Sequence, residues 1–241
     1  GAVLSLFLLV TKRLYGKEWE WSIGQIKTCR KKQHVEIDDI KEMSDLICGK
    51  AAVGGNYNST RDNKMEFSFG DEYKDGPLSL GLHKKGSTYD VLNALDCKLV
   101  HEDMNKILAC VLEYCREQGY AYYHKMQHTG FLRHLLLRRG NTTGEMLVNL
   151  VTTSQIETDF QELKERLLNL KLEGKIVGFL HIINDSLSDV VKSDETRILY
   201  GQDYFYEEIL GLKFKITPFS FFQPNSYGAE VLYETAREYI G

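Results

Sequence analysis

No apolar run in this chain approaches the length of a bilayer. The only hydrophobic stretch near an end, Ala2 to Val10, is about half of the ~20 residues a spanning helix needs. Lys12 and Arg13 follow that stretch rather than precede it, and no small-residue cleavage site is evident, so it reads as a buried strand or helix rather than a secretory signal. Cysteine is scarce and odd in number: Cys29, Cys48, Cys97, Cys110 and Cys115 share no repeating spacing, which fits reduced thiols in the cytoplasm better than a disulfide framework. There is no Cys-x-x-Cys and no His-Glu-x-x-His, so the sequence offers neither of these metal-ligand spacings, and Cys110 and Cys115 are expected to be core thiols. Asp185, Asp189 and Asp194 read as a solvated loop rather than a metal site. A Gly-x-Ser-x-Gly elbow, a phosphate loop and a Gly-x-Gly-x-x-Gly turn are all missing, which excludes a serine-hydrolase nucleophile and a nucleotide cradle of these kinds. Positive charge is not in excess either. With 30 basic against 34 acidic residues the net charge is −4, so any nucleic-acid binding has to come from a local patch.

What is present is an ordinary globular composition, 43% hydrophobic and 27% charged, in 241 residues that allow one domain or two. Ala51 to Arg61 is small, polar and glycine-rich and marks a boundary. From Lys64 onward short strands are expected. Met65, Phe67 and Phe69 alternate with polar residues, Asp75-Gly76-Pro77 makes a turn, and Leu78 to His83 alternates again. Tyr89 to Val100 reads as a third strand, and His101 to Gln118 as a helix whose apolar stripe runs from Met104 to Cys115. Phe131 to Arg139 and Glu145 to Thr153 predict a hairpin, Asp159 to Leu172 a helix and Lys175 to Ile183 a buried strand. More β structure is expected around a Glu207-Glu208 turn, and Ser226 to Ile240 repeats at helical spacing. Strands joined mostly by hairpins predict an α+β fold built on an antiparallel sheet.

The clearest sign of a polyanionic partner lies between Gln118 and Gly144, a stretch without Asp or Glu. It holds Lys125, Arg133, His134, Arg138 and Arg139, with Tyr120, Tyr122, Tyr123 and Phe131 among them. Cations bind phosphate and rings stack on unpaired bases, a mixture suited to looped or single-stranded RNA. A solvated strand edge backed by structural tyrosines explains the same composition. Alternation places His134 and Arg138 on one face and Arg133 on the other, so one groove does not hold all of them. Arg61, Lys64, Lys84 and Lys85 would extend such a patch along the first hairpin.

The segment Lys213 to Gly241 contains Phe221-Phe222-Gln223-Pro224-Asn225 followed by an amphipathic helix. It resembles the Phe-x-Gln-x-Asn signature of the uracil-5 methyltransferases of ribosomal and transfer RNA. Asp62 to Phe69 is similar to that family's Arg-Asn-Lys strand, and Gly130 to Val151 to its Gly-x-x-Arg-His strand and Thr-Gly-Glu hairpin. Asn184-Asp185-Ser186 and Tyr200-Gly201 fall in family order, so the resemblance covers about residues 60 to 241. It implies that Gln223 contacts S-adenosyl-L-methionine and that Phe221 shapes the pocket for a flipped uridine. Taken without the resemblance, Phe219, Phe221 and Phe222 would close a core and Gln223 would cap the helix.

The resemblance further implies a cysteine nucleophile that attacks C6 of uracil and a base that removes the C5 proton, neither of them assignable in this chain. Residues 56–216 would form a central RNA-binding domain and 217–241 the first segment of a Rossmann-like catalytic domain. Residues 1–55 would be a divergent segment, and the chain alone would be inactive. Relatives that hold an iron-sulfur cluster use a Cys-x5-Cys-x2-Cys run plus one later cysteine. Cys97 alone matches that pattern, so no cluster is expected. The implied partner is RNA, ribosomal ahead of transfer RNA, bound by a monomer with no membrane association.

Overall fold

The computed structural model describes residues 63–87, 89–187 and 193–240. The expectations for residues 1–55 and for Arg61 lie outside these. In chain order the elements are β1 (Lys64–Asp71), β2 (Leu78–His83), β3 (Val91–Asn93), α1 (Glu102–Glu117), β4 (Leu132–Arg139) and β5 (Glu145–Thr152). There follow α2 (Gln161–Leu168), β6 (Lys175–Ile183), β7 (Glu195–Gly201), β8 (Phe205–Ile209), β9 (Leu212–Ile216) and α3 (Ser226–Ile240). The described residues from Asn63 to Glu230 belong to one compact unit, and α3 from Val231 onward falls outside it.

Seven strands form one sheet in the order β3-β2-β1-β4-β5-β6-β7, and β8 and β9 form a separate hairpin. The alternation of Met65, Phe67 and Phe69 turns one side of β1 inward, where Phe67 is fully buried. That side meets the stripe of α1, from Met104, Ile107 and Leu108 to Val111, Leu112 and Cys115, together with Leu163 and Leu167 of α2. His101 caps α1 by accepting a hydrogen bond at Nδ1 from the Asp103 amide at 3.2 Å, and Glu102 and Asp103 place negative charge in the first turn. The buried Asp103 carboxylate also accepts from the amides of Glu173 and Gly174, both at 2.9 Å, which fastens the start of α1 to the approach to β6.

Four expectations change. The sheet is mixed, because β5 and β6 pair in parallel, and α2 supplies the crossover that a parallel pair requires. The third strand shrinks to Val91–Asn93, with Leu95 and Leu99 exposed in the turns that follow. α2 starts late because Phe160, which precedes it, sits in a left-handed conformation with φ 50° and its ring buried between Phe131 and His181. The β8–β9 turn is Leu210-Gly211, both residues with positive φ, as a two-residue hairpin loop demands, and Glu207 and Glu208 lie within β8. No helix among the described residues is long and apolar enough to cross a membrane.

Candidate functional site

The Phe-x-Gln-x-Asn segment joins β9 to α3, and a set of polar contacts fixes its backbone. Asn225 is the cap of α3: its Oδ1 accepts from the Gly228 amide at 2.9 Å and its carbonyl from the Ala229 amide at 2.9 Å. The helix cap is therefore Asn225 rather than Gln223. Asn63, just before β1, donates from its amide to the Pro224 carbonyl at 2.7 Å and from Nδ2 to the Gln223 carbonyl at 3.0 Å. The same Nδ2 reaches Ser226 Oγ at 3.0 Å, and Ser226 Oγ donates to Glu207 Oε2 at 2.7 Å.

Glu207 has no exposed surface, and a buried carboxylate is costly unless its lone pairs are filled. They are filled: the amides of Asn141 and Thr142 in the β4–β5 turn donate at 2.7 and 3.0 Å, and its neighbour Glu208 donates its amide at 3.0 Å. A cluster of Leu147, Leu180, Phe205 and Ile216 lies beneath β8 and β9, with Phe214 and Phe222 packed against it. Of the three phenylalanines in this segment, Phe222 therefore turns inward, whereas Phe219 is 46% and Phe221 76% exposed. Gln223 is half-buried. The arrangement places half-buried Gln223 and exposed Phe221 on one loop whose backbone is hydrogen-bonded to Asn63, where a cofactor and a base could be bound.

The cations expected to meet RNA divide between the ends of β4. Arg133 is buried, with Nη1 donating to the carbonyls of Asn184 at 2.8 Å and Ser186 at 2.7 Å and its guanidinium 4.5 Å from the Tyr123 ring centroid. A β-bulge between Leu132 and His134 interrupts the alternation that the sequence implied. His134 is buried, with Nδ1 3.3 Å from Ser68 Oγ and 3.8 Å from a Glu66 carboxylate oxygen. Arg138 is buried at the other end, with Nη2 donating to the Ser220 carbonyl at 2.6 Å, and directly opposite it on β1 is the exposed Lys64. Arg133 and Arg138 are about 17 Å apart along the strand at ~3.4 Å per residue. Lys125 is half-exposed on the loop before β4. The structure thus groups Lys64 and Arg138 with Ser220, Phe221 and Gln223, and leaves Lys125 and Arg133 elsewhere.

Sequence reasoning missed the residues that hold the loop: Asn63, Asn141, Glu207 and Ser226. It also missed the outer side of the β8–β9 hairpin, where Lys213 Nζ lies 4.0 Å from the Tyr206 ring centroid and Lys215 Nζ 3.9 Å from that of Tyr204. Alternation in Tyr204–Lys215 carried that signal. Cys115 is buried, and burial pushes its thiol up to about 12, while Cys97 and Cys110 are half-buried. Among the described residues no cluster of three or more His, Cys, Asp or Glu side chains could hold a metal ion.

No protein-family model matches the chain. It is 53% identical over 179 residues to an uncharacterized RNA methyltransferase of Clostridium tetani, covering 74% of this chain and 39% of that protein. A relative described in the same way, from Clostridium acetobutylicum, is 49% identical over 179 residues, again with 74% and 39% coverage. The chain belongs to this RNA methyltransferase family. It spans about two fifths of the length of these family members. Its fold is similar to that of the Pyrococcus abyssi tRNA (uracil-54, C5)-methyltransferase solved with S-adenosyl-L-homocysteine, with a TM-score of 0.60 and 24% identity over 74% of this chain and 41% of that one.

Proposed function

We propose that this chain is the RNA-binding portion of an S-adenosyl-L-methionine-dependent RNA (uracil-5-)-methyltransferase that also contributes one edge of the cofactor site. The observation that carries this reading is the hydrogen-bonded loop in which Phe221 is exposed and Gln223 half-buried, with Asn63 holding the Gln223 carbonyl and Ser226, bonded to Glu207, opening the helix that follows. With its backbone carbonyl held by Asn63, Gln223 carries a side-chain amide suited to a hydrogen bond to the cofactor, and the open Phe221 ring fits stacking on a uridine taken out of its helix. S-adenosyl-L-methionine supplies the methyl group. The residues here bind and orient, and the attacking cysteine lies outside the family segment that this chain matches. The residues proposed to touch RNA are Phe221, Arg61, Lys64, Lys125, Arg133, His134 and Arg138. For the buried Arg133, His134 and Arg138, contact requires that RNA binding rearrange the covering segments. The substrate proposed is RNA, ribosomal ahead of transfer RNA, bound by a cytoplasmic monomer whose central domain runs over residues 56–216.

The test is methyl transfer from labelled S-adenosyl-L-methionine to ribosomal and transfer RNA fragments by the full-length protein, with the modified position mapped. Label at C5 of one uridine, reduced at least tenfold by Gln223→Ala, is the expected result. Absence of transfer together with salt-sensitive RNA binding would favour the second reading, a non-catalytic RNA-binding module.

A further inference from the structure

Lys64 and Arg138 are directly opposed on the antiparallel strands β1 and β4 and project from the same face. Like charges in directly opposed positions repel and destabilise the pair, and an anion between or beside them would remove that cost. Among the described residues no ion pair of the sheet includes either side chain; Glu66, two positions along β1, acts on Lys64 with opposite sign, and burial is what acts on Arg138. Arg138 is 2% exposed, yet its Nε has no hydrogen-bond partner, although Nη2 holds the Ser220 carbonyl at 2.6 Å. A buried guanidinium with an unused N–H is expensive to keep, because the group has lost its water without gaining an acceptor. Burial lowers the pKa of both groups, that of Arg138 to about 10, and the Arg138 charge lowers that of Lys64 further. A negative ligand would relieve both effects.

We infer that Lys64 and Arg138 form a receptor for one oxyanion, with the Arg138 Nε–H as the buried donor and the Lys64 ammonium closing the site from its exposed side. Two anions share the required chemistry: an RNA phosphodiester and the carboxylate of the cofactor. Each would lie close to the loop already described. Arg138 holds the carbonyl next to Phe221, and Lys64 directly follows Asn63, which holds the Gln223 carbonyl. Because Arg138 is 2% exposed and holds the Ser220 carbonyl, an anion reaches its Nε only when the segment around Ser220 shifts, so occupation of the site is coupled to the position of the loop. Identification of the anion rests on the methyltransferase reading, whereas existence of the site does not.

The experiment follows the Arg138 Nε–Hε signal by NMR in this chain while inorganic phosphate, a short single-stranded RNA and S-adenosyl-L-methionine are added in separate titrations. Inorganic phosphate is expected to move the signal. In Lys64→Met, a change at an exposed strand end that leaves the backbone spectrum intact, the response should weaken at least tenfold. Movement with RNA assigns the phosphodiester, and the slope of log affinity against log salt should then fall by about one unit or less in Lys64→Met. Movement with S-adenosyl-L-methionine but not with RNA assigns the carboxylate. A signal that ignores all three ligands, or one that responds undiminished in Lys64→Met, overturns the site. If phosphate moves the signal and RNA binds nowhere on the chain, the site stands and the RNA reading falls. Arg138→Lys, which keeps the charge but removes the Nε donor, should weaken phosphate binding measured by calorimetry, and unchanged affinity would also overturn the assignment.

Discussion

Beneath α1 and α2 the sheet buries hydrocarbon: Phe67, Leu135, Leu137, Val148 and Leu150 meet Ile107, Leu108, Leu112 and Leu163 with almost no polar atom among them. The end of the sheet that carries the Phe-x-Gln-x-Asn loop is built in the opposite way. There a buried carboxylate, two asparagines and a serine join segments far apart in sequence, Asn63 to Ser226 across 163 positions and Thr142 to Glu207 across 65. The apolar region loses little when one hydrocarbon replaces another of similar volume, because burial is non-directional. The polar region has no such latitude, since each donor is satisfied by one acceptor, and removal of that acceptor leaves several groups desolvated and unpaired. The comparison suggests that stability and placement of the loop are set by different residues.

Glu207→Ala probes the difference most severely. It strands the amides of Asn141 and Thr142 and the Ser226 hydroxyl, and an expected loss of about 3–5 kcal/mol would appear as a lower urea midpoint. A loss below about 1 kcal/mol would break the contrast. Leu135→Ala, in the apolar region, is expected to cost about 3 kcal/mol with the loop undisturbed, so RNA binding by the folded fraction should persist. A smaller effect depends on pH. Burial lowers the His181 pKa from 6.5 to about 4, Arg197 acting in the same direction, so the imidazole is neutral in the fold, with Nε2 2.8 Å from Thr152 Oγ1. The unfolded chain then takes up more protons as the pH falls from about 6.5 towards 4, and stability declines through that window. Subtracting the pH profile of His181→Gln isolates the contribution, and identical profiles would refute it. The smallest change in stability is expected for Phe221→Ala, within about 0.5 kcal/mol because the ring is 76% exposed. If the proposed function holds, methyl transfer by the full-length protein drops more than tenfold nevertheless, and an unchanged rate would remove Phe221 from the proposed uridine pocket.

The apolar region was legible in the sequence because its signal is local. Alternation over Met65, Phe67 and Phe69, the 3.6-residue stripe from Met104 to Cys115 and the turn residues between β4 and β5 each lie within a few positions of one another. Errors arose where a distant partner reversed a local preference. Glu207 and Glu208 resemble a turn when read alone, yet Glu207 is buried in a strand because donors from the β4–β5 turn and α3 reach it. Arg133 and Arg138 read as phosphate ligands on a wet edge, whereas each donates to a carbonyl more than 50 positions away. The parallel β5–β6 pair also escaped notice, since hydrophobic periodicity within a strand does not encode the direction of its neighbour.

By itself the sequence determined most of the strands and helices, which of their sides are apolar, and, through Phe221 to Asn225 together with Asp62 to Phe69 and Gly130 to Val151, the resemblance to the family. Tertiary structure alone decided that Phe222 turns inward while Phe221 stays open, that Asn225 caps α3, and that Lys64 stands against Arg138. The physical reason is range: burial and helix or strand periodicity act between near neighbours, whereas a hydrogen bond to a buried charge exists only once the folded chain has brought its donors to it.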